Sequence, residues 1–174
     1  GTRSEGGGIY IEDSSPTIRN CVIAFCSADD GGGMFLNNSN SNITDITISF
    51  NDALYWGGGI AMFQSNPSLS NITIFANSAD FGGGGMLLQQ SNPNLQNINI
   101  YVNDSMGDES GAGGSGGGII LFDSNPIINI MTIQANSALY NGGGIVLQAS
   151  NPIMSNVDIN SNTSGIFGGG AVIF

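Results

Sequence analysis

Seven glycine triplets punctuate the chain, opening at Gly6, Gly31, Gly57, Gly83, Gly116, Gly142 and Gly168, at spacings of 25, 26, 26, 33, 26 and 26 residues. No other feature narrows the possible folds so far. A fixed period of this size marks a repeat architecture, in which one short supersecondary unit is stacked on itself. The repeat from Gly57 to Gly82, GGGIAMFQSNPSLSNITIFANSADFG, serves as the template for the others.

Inside each repeat the apolar residues alternate, which is the period of a strand. The first position after the glycines reads Ile9, Met34, Ile60, Met86, Ile119, Ile145 and Ala171, and the third reads Ile11, Leu36, Met62, Leu88, Leu121, Leu147 and Ile173. A Ser-Asn-Pro turn follows at Pro67, Pro93, Pro126 and Pro152, with Ser15-Pro16 in the first repeat. Proline fixes φ and has no N–H to give, so it belongs at a corner or a strand start. A short second strand points one apolar residue inward (Ile18, Ile43, Leu69, Leu95, Ile128, Met154), and a third carries an unbroken isoleucine column, Ile23, Ile48, Ile74, Ile100, Ile133 and Ile159.

Two polar columns accompany these strands. One holds Asn20, Asp45, Asn71, Asn97, Ile130 and Asn156; the other holds Cys26, Asn51, Asn77, Asn103, Asn136 and Asn162. An amide at a buried corner can bond the backbone and the same amide one coil along, so both columns are expected to form buried ladders. A Ser-Ala-x-x-x loop then returns to glycine. Three strands per repeat on shared columns describe an all-β, three-sided parallel β-solenoid, with coils stacked about 4.8 Å apart. Residues 1–174 are read as a single segment of about 6.5 coils on the order of 30 Å long, a window of a longer repeat protein. The fourth repeat swells by a Gly/Ser-rich insertion over residues 104–115.

Charge removes several function classes. The net charge is −11, with only two cations, Arg3 and Arg19, and no histidine. Nucleic acid is excluded as a partner, because phosphate contacts need clustered Lys and Arg. An anionic membrane surface is disfavoured on the same ground, and no apolar run reaches the roughly 18 to 20 residues of a membrane-spanning helix. Cys21 and Cys26 lie five residues apart on one strand, roughly 16 Å at strand rise, too far for a mutual disulfide.

The Gly-Gly-Gly-Ile units (Gly57 to Ile60, Gly142 to Ile145) and the Ile-x-x-Asn units (Ile74 to Asn77, Ile133 to Asn136) give the pattern a wider likeness. It resembles the right-handed parallel β-helix proteins of pectin-lyase-like architecture. More narrowly, it is similar to the GGA[I/L] and FxxN repeats of polymorphic outer membrane proteins, with Gly for Ala and Ile for Phe. The resemblance implies a right-handed coil and an extracellular or cell-surface setting.

Many β-helix proteins process polysaccharides, a chemistry that needs a base or converging carboxylates. Arg19 is the only plausible base or anion binder, Asp45 and Asp158 are isolated, and no cleft of three converging carboxylates is expected. The reading is therefore a non-enzyme without a cofactor or catalytic metal. Seven acids fall in the loops before the glycines (Asp29, Asp30, Asp52, Asp80, Asp104, Asp108, Glu109), which keeps Ca2+ in view as a weak candidate. Among the Asn-x-Ser/Thr sites, Asn37 and Asn42 are expected to point outward and accept glycans, whereas Asn71, Asn103 and Asn162 are expected to be buried in ladders. Thr47, Thr73 and Thr132 share an outward column, but Val22, Asn99 and Asp158 interrupt the regularity that an ice-binding face needs.

One column does not fit a solvated solenoid. The second position after the glycines reads Tyr10, Phe35, Ala61, Leu87, Ile120, Val146 and Val172, and Phe63 and Phe122 join it two positions on. Strands apolar on both faces are usually covered on both faces. This outward stripe is expected to pack on a second copy or on another part of the parent chain. The resulting expectation is a structural or adhesive module that self-associates, with a carbohydrate-binding or carbohydrate-processing β-helix, or an ice-binding solenoid, as alternatives.

Overall fold

The computed structural model describes residues 4–108 and 112–174. Their regular structure is entirely strand, organised in three parallel sheets. The first sheet takes the segments after the glycines: Ile9–Glu12, Met34–Asn37, Ile60–Phe63, Met86–Gln89, Ile119–Phe122, Ile145–Gln148 and Ala171–Ile173. The second takes Thr17–Ala24, Asn42–Ser49, Ser68–Phe75, Asn94–Tyr101, Ile127–Gln134 and Ile153–Asn160. The third is made of shorter pieces: Ser27–Asp30, Asp52–Trp56, Ser78–Ala79, Asp104–Ser105, Ser137–Ala138 and Thr163–Ser164.

Every strand pairs with its equivalent one coil away, so Ile48 lies beside Ile74, Ile74 beside Ile100, and Ile100 beside Ile133. That register puts like on like and fills the tube with one continuous core. Met34, Leu36, Ile43, Ile48, Ile60, Leu69 and Ile74 are fully buried within it. Burying side chains of this size stabilises by about 1.5–3 kcal/mol each. A single coil covers neither of its open faces, so the stacking of coils supplies the fold's stability.

Two features differ from the sequence reading. The expected second and third strands are one eight-residue strand, bent in the middle. The bend falls on Asn20, Asp45, Asn71, Asn97, Ile130 and Asn156, all at φ between 53° and 58°. A left-handed residue turns its side chain out of the strand, and Asn tolerates that region better than most residues. The first polar column is therefore exposed, not a buried ladder. Only part of it is linked, by Asn71 donating to Asp45 and Asn97 donating to Asn71, both at 2.9 Å.

The third sheet is the other difference. The Ser-Ala loop pairs from coil to coil, and its inward column of Ala28, Ala53, Ala79, Ser105 and Ala138 is small enough to close the third side. Asp104 and Ser105 thus belong to a strand, and the extra residues of the long repeat follow them. Both feet of that insertion are tied to one carbonyl, since Gly107 and Gly114 donate to the Asp80 oxygen at 2.8 and 2.9 Å. Its centre, residues 109–111 including Glu109, lies outside the described residues, as does Arg3.

Candidate functional site: an acidic groove on the first sheet

The interior polar column is a ladder, as its spacing suggests. Asn51, Asn77 and Asn103 each donate their Nδ2 to the Oδ1 of the next asparagine, at 2.9, 2.9 and 3.0 Å, and Asn136 donates to Asn162 at 2.9 Å. The same Oδ1 atoms accept the backbone N–H of the preceding rung. Cys26 caps the column by donating its N–H to Asn51, and both cysteines are free thiols.

A second pair of ladders runs along the Ser-Asn-Pro turns, where the sequence pointed only to a proline corner. The backbone N–H groups of Ser39, Ser65, Ser91 and Ser124 each donate to the serine hydroxyl one coil on, at 3.0 Å. Asn66, Asn92, Asn125 and Asn151 donate theirs to the preceding asparagine side chain. These ladders hold the fold at its corners.

The apolar stripe of the first sheet is not open to a partner. Phe35, Leu87, Ile120 and Val146 are buried with Ala61 in a second core of the chain's own making, and Trp56, Phe63 and Phe122 pack over it half-buried. The cover is the chain arriving at each glycine triplet. Gly57, Gly83, Gly116 and Gly142 have φ between 59° and 67°, which folds the backbone back over the column. A Cβ at Gly116 would lie 2.8 Å from the Ile120 Cβ, and one at Gly142 would lie 2.4 Å from the Val146 Cγ2. Trp56 packs on this second core, edge-on to Phe122 with ring centroids 5.5 Å apart. Only Tyr10 is exposed and Val172 half-exposed at the two ends. The exposure that motivated a lateral partner there is absent.

The same sheet does carry a groove of about 360 Å3, crossing the first four coils near its corner. Glu5, Glu12, Asp30, Asn37, Gln64, Gln89 and Gln90 line it together with Phe35 and Phe63. Glu12, Asn37, Phe63 and Gln89 are consecutive rungs of one register column. That column was the signal in the sequence. Its four rungs differ in kind, and Glu12 is the one acid among them.

Glu12 is held by two donors, the Tyr10 hydroxyl at 2.7 Å and the Asn37 Nδ2 at 3.1 Å. The first bond, with the nearby charges of Glu12, Glu5 and Asp13, pushes the Tyr10 phenol up to about 12. Asp30 is only 2% exposed and accepts the Trp56 backbone N–H at 3.2 Å. The Phe35 ring is stacked on Tyr10 with centroids 5.5 Å apart and lies tilted by 32° against Phe63 at 5.3 Å. It is buried, at 4% exposure.

The remaining candidates are dispersed. Asn42 is exposed, whereas Asn37 is half-buried at the groove; Asn71 is exposed at its bend, contrary to expectation, and Asn103 is buried in the ladder. Arg19 lies on an exposed strand position beside Thr44. Among the described acids of the pre-glycine loops, Asp29 accepts from the Ser4 N–H and Asp108 from the Ala112 N–H. No group of three or more potential ligands among the described residues is arranged to hold a metal ion. No helix among them is long and apolar enough to cross a membrane.

Three parallel sheets, like-on-like columns and glycine corners define a parallel β-solenoid. The chain belongs to the family described as the right handed beta helix region, whose model matches residues 2–173. No individual curated protein and no solved structure matches it.

Proposed function

We propose that this chain is an extracellular or cell-surface β-solenoid module that binds a glycan in the groove of its first sheet. The observation that carries this reading is the groove itself, about 360 Å3 and lined by Glu12, Asn37, Gln64, Gln89 and Gln90 among others. Side-chain amides and carboxylates are the usual partners of sugar hydroxyls, because they supply both acceptors and donors at fixed angles. The rest of the surface supports a scaffolding role, since the ladders spend the polar groups of the corners on the fold itself. The class of protein agrees with the reading but does not select it.

The test is a glycan-binding screen with the whole chain, repeated on Gln64→Ala and Gln90→Ala. Both side chains are exposed at the groove, so the variants should fold normally and lose binding. Binding that survives both changes, or that moves only with substitutions elsewhere, would reject the groove. Two carboxylates in one channel are also what glycoside hydrolysis requires. The same screen should therefore follow chain shortening as well as retention, and product formation lost in Glu12→Gln would favour that second reading.

A further inference from the structure

Away from the groove, at the corner that follows the second sheet, we infer a second binding site. It is an exposed row of aromatic rings that takes a neutral, equatorially linked sugar chain lying along the solenoid axis. Four rings from successive coils form the row. Phe25 stacks on Phe50 with centroids 5.2 Å apart, and Phe75 stacks on Tyr101 at 5.1 Å. Phe50 meets Phe75 edge-on at 5.4 Å, which joins the two pairs. These spacings are close to the roughly 4.8 Å between paired strands, so the row advances one ring per coil.

The backbone under the row is unsuited to rings. Phe25 and Phe50 are 81% and 50% exposed, and both are left-handed, at φ 57° and 54°. That region suits glycine or asparagine and disfavours bulky side chains. Large rings held at a strained position, with little burial in return, mark a surface that serves binding. Parallel rings in full contact lie about 3.5–4 Å apart. Centroids at 5.1 and 5.2 Å therefore mean slipped pairs, in which the rings overlap only in part.

The flanks of the row select the ligand. Thr73 and Asn99, in register with each other, share a strand face with Phe75 and Tyr101 two residues on. The Tyr101 column continues into Gln134 and then Asn160. These hydroxyls and amides offer sugar hydroxyls both donors and acceptors. On the other flank Asp52 is exposed and accepts from the Ser78 hydroxyl, and Asp104 follows Ser78 in register. With a net charge of −11, that flank repels a uronate chain. A sugar with equatorial substituents shows flat faces of C–H groups, which suit the electron-rich faces of aromatic rings. Linked equatorially, such sugars form an extended ribbon whose units can meet successive rings.

The experiment titrates the whole chain by calorimetry with cellohexaose, maltohexaose and hexagalacturonate. Cellohexaose should bind several-fold tighter than maltohexaose, whose axial linkages curl the chain away from a straight row, and the galacturonate should not bind. Phe50→Asn suits the left-handed backbone, so melting should stay unchanged or rise while cellohexaose binding weakens about fivefold or more. A merely structural ring would show the opposite. Tyr101→Ala, in the other pair, should weaken binding likewise, whereas Gln64→Ala in the groove should not. No binding of cellohexaose by the parent chain overturns the inference, as does binding of maltohexaose or the galacturonate that equals it. Binding lost in Gln64→Ala but kept in both ring variants overturns the row and leaves the groove reading standing. A dimer in gel filtration that Phe50→Asn dissolves gives the row to a second copy and overturns the sugar.

Discussion

The Oδ1 of Asn103 accepts two hydrogen bonds from Asn77, one from its Nδ2 at 2.9 Å and one from its backbone N–H at 3.0 Å. The Asn77 Nδ2 also donates to the Ile48 carbonyl of the preceding coil at 3.0 Å. One side chain thus ties three coils together at a corner where the Asn77 N–H bonds a side chain and its neighbours Ala76 and Ser78 bond backbone carbonyls.

Removing such a rung leaves several buried groups without partners. Asn77→Ala takes away the acceptor of the Asn51 N–H and Nδ2, as well as the donor to Ile48. Each orphaned buried group costs about 1–3 kcal/mol, so the variant should lose roughly 2–5 kcal/mol in denaturant unfolding. Asn97→Gly, in the exposed column, should lose less than about 1 kcal/mol, because glycine accepts the left-handed bend. Equal losses at the two sites would contradict the division into buried and exposed columns.

This contrast also marks what the sequence could tell. The two columns look alike as strings of asparagine, and only the backbone separates them. Asn51 sits inside a corner and Asn71 on a left-handed bend that points it outward. The period, the inward columns and the parallel register were legible because burial imposes strict alternation on strands. The third sheet was not, since alanines such as Ala53 and Ala79 carry too weak a hydrophobic signal to separate a strand from a loop. The groove was hidden for another reason. Its residues are distant in sequence and differ in type, so no column of like residues announces it.

Ser105 occupies the place that Ala79 and Ala138 hold in neighbouring coils. Its hydroxyl is buried and has no hydrogen-bond partner. Ser105→Ala should therefore stabilise the chain by about 1 kcal/mol, read as a higher denaturant midpoint with unchanged slope. A lower midpoint would mean that the hydroxyl bonds to something in the insertion.

Val102 holds φ at 55° with a β-branched side chain that is 55% exposed. The conformation costs roughly 1–2 kcal/mol for such a residue, and little packing is lost by replacing it. Val102→Gly should raise thermal stability, despite glycine's larger entropy in the unfolded chain. Val102→Asn should do so as well, which separates relief of strain from a special effect of glycine.

Asp80 titrates above the ordinary aspartate value, first because burial penalises its charge and then because Asp52 and Asp108 are near. Its folded-state affinity for a proton exceeds that of the unfolded chain. The native state therefore binds more protons in that window, and this group's contribution to stability rises as pH falls through the folded value toward the unfolded one near 3.8. Asp80→Asn should be more stable than the parent at neutral pH. The gain should shrink on acidification, in unfolding curves taken across that range. A gain independent of pH would assign the effect to something other than the carboxyl charge.

Leu87 separates an apolar face covered by its own chain from one covered by a partner. It is 0% exposed in the isolated chain, between Ala61 and Ile120 in register and under the backbone of the glycine corner. A stripe kept for a partner would accept Leu87→Asp with the fold intact and lose only the association. A stripe that is part of the core cannot, because an unpaired carboxylate buried there costs several kcal/mol and the lost packing adds about 2–5 more. We expect Leu87→Asp to unfold the chain or make it aggregate. Tyr10→Asp, on the exposed end of the same column, should fold normally. Circular dichroism and gel filtration read both outcomes. A folded, monomeric Leu87→Asp chain would show that the glycine corner lifts away from the column in solution, and the stripe would again need a partner.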